Sequence, residues 1–212
     1  MDTQPTACAL WNAAHHYGRH GLELEFRVGH MMGRSFVSNV GKAHFEMCES
    51  YLKQHCDTVK TVNTTETVQG DTKHVVTHHC DGQPVPPPFV MTKKRMYHTE
   101  FPGKPCTVRS SIAIEHISSE TTLPQPPPGK NYTTTTRQKN RTRYLVGPWA
   151  FDLTVVVSNA DLDSEETYEI ELELLDTMAL FEYTMDHIVQ WGLDLIGGML
   201  SSCLQNKFVA QQ

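Results

Sequence analysis

Residues 22–28 read Leu-Glu-Leu-Glu-Phe-Arg-Val, and residues 168–174 read Tyr-Glu-Ile-Glu-Leu-Glu-Leu. Both alternate with a period of two, which belongs to a β-strand and not to a helix. In the first stretch Glu23, Glu25 and Arg27 share one face, and Leu22, Leu24, Phe26 and Val28 share the other. In the second, Glu169, Glu171 and Glu173 stand opposite Ile170, Leu172 and Leu174. A third stretch, Arg137-Gln-Lys-Asn-Arg-Thr-Arg143, puts Arg137, Lys139, Arg141 and Arg143 on one face. Residues two apart on a strand lie on the same side, roughly 6.5–7 Å apart.

A half-buried strand also shows one polar face, but solvated faces usually mix the two signs of charge. These rows are nearly single-signed. Like charges about 7 Å apart repel by about 0.6 kcal/mol in water and by about 2.4 kcal/mol at an effective dielectric of 20. A row of three glutamates therefore calls for a compensating cation, and carboxylate oxygens are the preferred ligands of hard divalent ions. Turned inward in a barrel, the acidic rows form a floor for a metal and the basic row a wall for phosphates. Hydrolysis of a phosphoanhydride requires both, plus a carboxylate to orient or deprotonate the attacking water. The apolar faces then point outward, and helices and loops must cover them.

The rest of the chain fits that plan. Short strand patterns occur at 58–68, 72–78, 88–97, 107–117, 136–146, 149–158 and 167–175, separated by Gly70, Gly82 and the run Pro84–Pro88. With residues 22–28 they imply a closed or nearly closed antiparallel sheet. Residues 39–55 and 177–204 carry helical apolar faces, the first with Val40, Phe45, Cys48, Tyr51 and Leu52, the second with Met178, Leu180, Phe181, Met185, Ile188, Val189 and Leu193. The 212 residues suit a single domain over 1–212, with 1–20 as a loosely held, His-rich N-terminal segment and the Pro-rich stretch 123–129 as an exposed loop.

Composition removes several alternatives. A net charge of −6 disfavours a protein that coats duplex nucleic acid, and cations concentrated at 93–95 and 137–143 suit a local anion pocket instead. No apolar run reaches the roughly 18–20 residues of a membrane-spanning helix. The N-terminus lacks a secretory pattern, so the six cysteines, none in a CxxC pair, read as reduced thiols, and the sequons at Asn63, Asn131 and Asn140 read as chance matches. There is no P-loop and no GxSxG. His78, His79 and Cys80, like His15, His16 and His20, lack a second pair at zinc spacing and read as ordinary residues.

Two further strands contribute acids. Glu115 follows Arg109, Ser111 and Ala113 on one face of 108–117, and Asp152 shares a face with Thr154 opposite Phe151 and Leu153. With these motifs in order, from Leu22 to the C-terminal helices, the chain resembles the metal-dependent RNA triphosphatases of fungi, protozoa and some large DNA viruses, a branch of the triphosphate tunnel metalloenzymes. The short form, without a long N-terminal arm, looks most like the protozoan, kinetoplastid enzymes. The resemblance implies a mainly β (α+β) fold, an eight-stranded antiparallel tunnel with helices packed outside. It also implies removal of the γ-phosphate from triphosphate-ended RNA, the first step of mRNA cap formation, with hydrolysis of nucleoside triphosphates as a side activity.

Roles follow residue by residue from that resemblance. Glu23, Glu25 and Glu173 are implied as ligands of Mn²⁺ or Mg²⁺. Glu171 and Asp152 are implied to hold metal-bound water, and Glu115 to position or deprotonate the attacking water. Lys139 and Arg141 are the implied γ-phosphate clamp, with Arg137 and Lys94 as further phosphate-binding cations. Glu169 and Thr154 are implied lumen supports for the basic strand, alongside Arg27 and Arg109 on the inner faces. The family carries another phosphate-binding arginine upstream. Here that region reads Lys73-His-Val-Val-Thr-His-His-Cys80, and Lys73 or His74 is expected to substitute, although lysine lacks the two-pronged geometry of guanidinium. The expected partners are triphosphate-ended RNA, nucleoside triphosphates and a guanylyltransferase, in the nucleus, with a monomer favoured and no membrane. Rival readings are an inorganic tripolyphosphatase or thiamine triphosphatase of the same fold, a non-catalytic polyanion-binding barrel, and a plain interaction domain. The glutamate rows argue against the polyanion-binding barrel, and the sign-segregated faces against the interaction domain.

Overall fold

The computed structural model describes residues 2–18, 20–103, 105–123, 133–158 and 166–209, the side chains of 57–59 and 204–209 excepted. The strands are β1 (Leu22–Met32), β2 (Ser35–Val37), β3 (Asp57–Gln69), β4 (Thr72–Cys80), β5 (Phe89–Phe101), β6 (Thr107–Ser118), β7 (Thr134–Val146), β8 (Trp149–Ser158) and β9 (Glu166–Leu174). Their spatial order is β2-β1-β6-β5-β4-β3-β7-β8-β9, and β1 also pairs with β9. That last pairing closes eight antiparallel strands into the expected barrel, with β2 as a short extra strand folded back on the end of β1. Helices α1 (Gln4–Tyr17), α2 (Lys42–His55), α3 (Ala179–Glu182) and α4 (Met185–Val209) lie outside it.

Register decides which faces look inward, because residues paired across neighbouring strands share a face. Glu25 is opposite Ser111 on β6 and Glu173 on β9, and Arg27 is opposite Arg109 and Glu171. On β7, Arg137, Lys139, Arg141 and Arg143 are opposite Glu66, Thr64, Val62 and Lys60 of β3. The charged rows thus line one interior. The apolar rows face out: Leu24, Phe26, Ile112, Leu153, Ile170 and Leu172 are each at most 1% exposed, in one core with Leu10 of α1, Leu52 of α2 and Ile188 and Ile196 of α4. At the closest crossing, a Cβ on Gly192 of α4 would lie 2.4 Å from the Phe26 ring, so only glycine permits that approach.

Only part of the barrel wall needs that cover. Outward positions on β3 and β7 are Thr61, Asn63, Thr65, Thr67, Gln138, Asn140 and Thr142, which tolerate water. The expectation of apolar outer faces holds for β1, β6, β8 and β9 but not for β3 and β7.

The N-terminal segment is not loosely held. Thr6, Ala7, Leu10 and Ala13 of α1 are buried, Thr6 Oγ1 lies 3.3 Å from Ser110 Oγ, and Gln4 donates to Asp186 of α4 at 3.0 Å. Its buried face is made of small residues around a single leucine, which a hydrophobic-periodicity reading passes over. On the C-terminal side, Met178 and Phe181 are 60% and 65% exposed and lie off the buried face, while Ile196, Met199 and Cys203 extend that face beyond Leu193. The Pro-rich stretch 123–129 lies, after Leu123, outside the described residues, as does the Asn131 sequon. All six cysteines are free thiols.

Candidate active site in the barrel lumen

Carboxylates converge around Lys93. Its Nζ lies 2.5 Å from Glu23 Oε2, 3.3 Å from Glu25 Oε2 and 3.8 Å from Glu115 Oε1. Strand β1 supplies the first two acids and β6 the third, which Gly21 helps to seat. The Glu115 amide donates to the Gly21 carbonyl at 2.7 Å, and a Cβ on Gly21 would stand 2.1 Å from the Glu115 carbonyl oxygen. Arg27 also reaches Glu25, at 3.5 Å, but it is shared with Glu171, so the three carboxylates outnumber their cations. Burial, then the neighbouring Glu25, push the Glu23 carboxyl up to about 9, against the opposing pull of Lys93.

The opposite wall is cationic. Counting round the closed barrel, β6 and β7 are four strands apart of eight, so Glu115 looks across the lumen at the β7 cations. Glu66 of β3 is 4% exposed and gathers three of the cations: Lys73, Arg137 and Lys139 lie 3.2, 3.3 and 3.3 Å from its carboxylate. Burial alone would raise the Glu66 carboxyl, but Lys139, Lys73 and Arg137 more than offset this and hold it at about 2. Burial also pulls the Lys139 ammonium below its usual value, against Glu66.

Further along, Asp152 is 1% exposed and accepts from Arg143 Nε at 2.7 Å, with Arg141 Nη1 at 3.0 Å. Arg143 also reaches Glu173 at 2.7 Å. Glu171 pairs with Arg27 and lies 3.8 Å from Arg141. Burial opposes ionisation of Glu171, and Arg27 and Arg141 overcome it, keeping the carboxyl well below the usual range. Each acid here acts as a buttress that holds a guanidinium in place across neighbouring strands.

The structure therefore brings together Glu23, Glu25, Arg27, Lys73, Glu115, Arg137, Lys139, Arg141, Asp152, Thr154, Glu169, Glu171 and Glu173. Thr154 is buried between Arg141 and Glu169 on neighbouring strands, and Glu169 accepts from Ser38 Oγ at 3.1 Å. Of the two candidates for the upstream cation, Lys73 points in. His74 is paired with the outward Thr67 and points away.

Lys94 is misplaced by the sequence reading. Its Nζ lies 5.6 Å from the Tyr17 ring centroid of α1, on the outer surface. The lumen cations of β5 are its neighbours Lys93 and Arg95, which pair with the inward Glu115 and Ala113. Arg109 faces in but is committed to Glu100 at 2.7 Å and stacks 4.3 Å from the Phe36 ring. Glu66, Lys93 and Arg95 are lumen residues to which the sequence reading gave no role, and Arg143, read there only as part of the basic row, holds Asp152 and Glu173.

The donor chemistry beside Lys93 fits a hard divalent ion: carboxylate oxygens in excess of their counter-charge, with Glu173 directly across from Glu25 on the next strand. Among the described residues no group of three or more His, Cys, Asp or Glu side chains already has the arrangement of a metal cage. Lys93 and Arg143 take up those carboxylates instead.

Comparison with known proteins gives this lumen a family. Residues 89–190 match the family described as the mRNA capping enzyme, beta chain. The chain is 31% identical over 178 residues to the 5′ RNA triphosphatase of Paramecium bursaria Chlorella virus 1, covering 82% of this chain and 86% of that protein. In fold it is similar to the RNA triphosphatase of Schizosaccharomyces pombe, with a TM-score of 0.67 at 14% identity over 94% of this chain and 93% of that one. It is also similar to the RNA triphosphatase domain of a trifunctional mimivirus mRNA capping enzyme, with a TM-score of 0.61 at 12% identity over 93% and 95%. The barrel, its charged interior and the extended identity to the viral protein together make this chain a member of the tunnel-type RNA 5′-triphosphatase family of mRNA capping enzymes.

Proposed function

We propose that the protein removes the γ-phosphate from triphosphate-ended RNA inside the barrel, as the first step of cap formation. The observation that carries the reading is the opposition of two walls: carboxylates of β1 and β6 on one side, and on the other the cations of β7, buttressed by Glu66, Asp152 and the β9 acids Glu171 and Glu173. A binder of polyanions gains nothing from the carboxylates. Hydrolysis needs both walls, since catalysis of phosphoryl transfer is mainly positioning plus electrostatic stabilisation.

In this reading Lys139 and Arg141 hold the γ-phosphate oxygens, with Lys73, Arg137 and Arg95 as further cations around the bound phosphate. Glu115, on the opposite wall, positions a water on the far side of the phosphorus from the leaving oxygen and accepts its proton. Its carboxylate lies 3.8 Å from the Lys93 ammonium. Glu23, Glu25 and Glu173 would hold Mn²⁺ or Mg²⁺, which supplies charge neutralisation of the phosphates. Asp152 and Glu171 keep the arginines aligned during turnover. Nucleoside triphosphates fit the same clamp, so they are hydrolysed as well. A role in cap formation is consistent with a nuclear location and with a guanylyltransferase partner that takes the diphosphate end.

The test is phosphate release from γ-labelled triphosphate-ended RNA and from inorganic tripolyphosphate, each with manganese, magnesium or chelator. The proposal predicts metal-dependent release that favours RNA. Equal turnover with chelator, or tripolyphosphate alone as substrate, overturns it.

A further inference from the structure

The barrel interior is not uniformly charged. One chamber, of about 350 Å³, is more polar than apolar and sets six cations, among them Lys73, Arg137 and Lys139, against the acids Glu25, Asp71 and Glu169. A second chamber, of about 290 Å³, lies further along the lumen and differs in character. One of its walls is apolar, built from Val62 of β3, Val75 of β4 and Phe89 and Met91 of β5. The pairing of Val75 with Phe89 and Lys73 with Met91 places these side chains on the inner face. Pro86, from the loop between β4 and β5, comes in at the rim.

Nothing in phosphate chemistry requires that wall. An apolar surface inside a channel for a highly charged substrate loses the cations that would otherwise fill it. Arg141 and Arg143 line the same chamber, and Lys73 lines both chambers, so the apolar wall begins where the phosphate clamp ends. The site is concave, mainly apolar, and carries a few convergent charged groups, which is the character of a small-molecule pocket.

We infer that this chamber seats the first nucleoside of the substrate, with its base against Phe89, Met91 and Val75 and its α-phosphate toward Arg143, one inward position beyond Arg141 on β7. The inference rests on the reading given under Proposed function and adds the direction of the substrate: phosphates in the charged chamber, nucleoside in the apolar one. The wall offers contact area and an aromatic ring but few groups that read a base edge. Every base has an apolar face, so such a wall accepts all four. Pro84–Pro88 gives the rim a stiff backbone that loses little freedom on binding.

The test uses equilibrium binding in chelator of β,γ-imido nucleoside triphosphates and of inorganic tripolyphosphate, together with turnover of both substrates. Phe89→Ala is expected to weaken the nucleotide analogues roughly tenfold, alike for all four bases, and to leave tripolyphosphate within about twofold. Phe89→Tyr restores binding. Met91→Ala gives a smaller loss of the same selectivity, and it serves should Phe89→Ala fail to fold. A photoreactive 8-azido-ATP is expected to label the peptide around 86–91. Equal losses on nucleotide and tripolyphosphate, no loss on either, or labelling confined to the charged chamber overturns the inference. If the wild type binds and hydrolyses tripolyphosphate but not triphosphate-ended RNA, the proposed function itself is at fault, a different result from any of these.

Discussion

The ammonium of Lys139 lies 3.3 Å from the carboxylate of Glu66, a neighbour on the adjacent strand, and the same carboxylate holds Lys73 and Arg137. Three cations aimed at one point repel each other, and a buried anion between them is what lets them stand ready for a phosphate. Glu66→Gln should therefore lower the melting temperature in phosphate-free buffer. Tripolyphosphate should restore more stability to the variant than it adds to the wild type. Calorimetric scans with and without tripolyphosphate check this. An unchanged melting temperature, or equal gains in both proteins, contradicts it.

The same carboxylate gives a pH dependence of known sign. Its folded value of about 2 lies below its usual 4.5, so the stability it contributes is fully present above pH 4.5 and lost as pH falls toward 2. The shift corresponds to a contribution on the order of 3 kcal/mol. Denaturant titrations of wild type and Glu66→Gln between pH 2 and 5 should show the difference between them shrinking as the solution is acidified. A constant difference across that window contradicts the assignment.

Neighbouring lysines on β5 should separate cleanly. Lys93 touches Glu23, Glu25 and Glu115 in the lumen, whereas Lys94 lies outside over Tyr17. Lys93→Ala is expected to lower kcat/KM for triphosphate-ended RNA at least tenfold, and Lys94→Ala to leave it within about twofold, on the scale of one lost phosphate-site charge. The reverse order of effects would show that the strand parity is wrong.

The crossing of α4 over β1 predicts a stability loss without a change in chemistry. A methyl group at Gly192 meets the Phe26 ring at 2.4 Å and Trp149 at 3.0 Å. Gly192→Ala should cost about 1–3 kcal/mol in urea unfolding through overpacking. The folded fraction should keep its normal KM. A neutral result would mean that the helix sits further from the barrel.

Much of this was legible in the residues alone, and the reason is parity. In β1 and β7, and in β9 from Glu169 onward, the charged residues occupy alternate positions only, so the inner face announces itself. Glu66 was hidden because β3 reads Thr61-Val-Asn-Thr-Thr-Glu-Thr-Val68, polar on both faces, with its outward side not needing apolar cover. Lys93 and Arg95 were hidden because 93–95 are three successive cations, which carry charge on both faces and leave the choice to register. The helix α1 was missed because small residues, Ala7 and Ala13 around Leu10, do the packing and the histidines sit on its outer side. Closure of the barrel is a relation between β1 and β9 at opposite ends of the chain, and no local pattern encodes it.

In the proposed mechanism Glu23, Glu25 and Glu173 hold a divalent ion in the lumen facing the Lys139–Arg141 clamp. Anomalous diffraction from crystals soaked with Mn²⁺ and a non-hydrolysable nucleoside triphosphate tests it most directly. The account predicts one strong manganese peak bounded by those three carboxylates, with Lys93 and Arg143 turned toward the phosphates, and loss of the peak in Glu173→Ala. A peak outside the barrel, or bound nucleotide with no metal near β1 and β9, would contradict it.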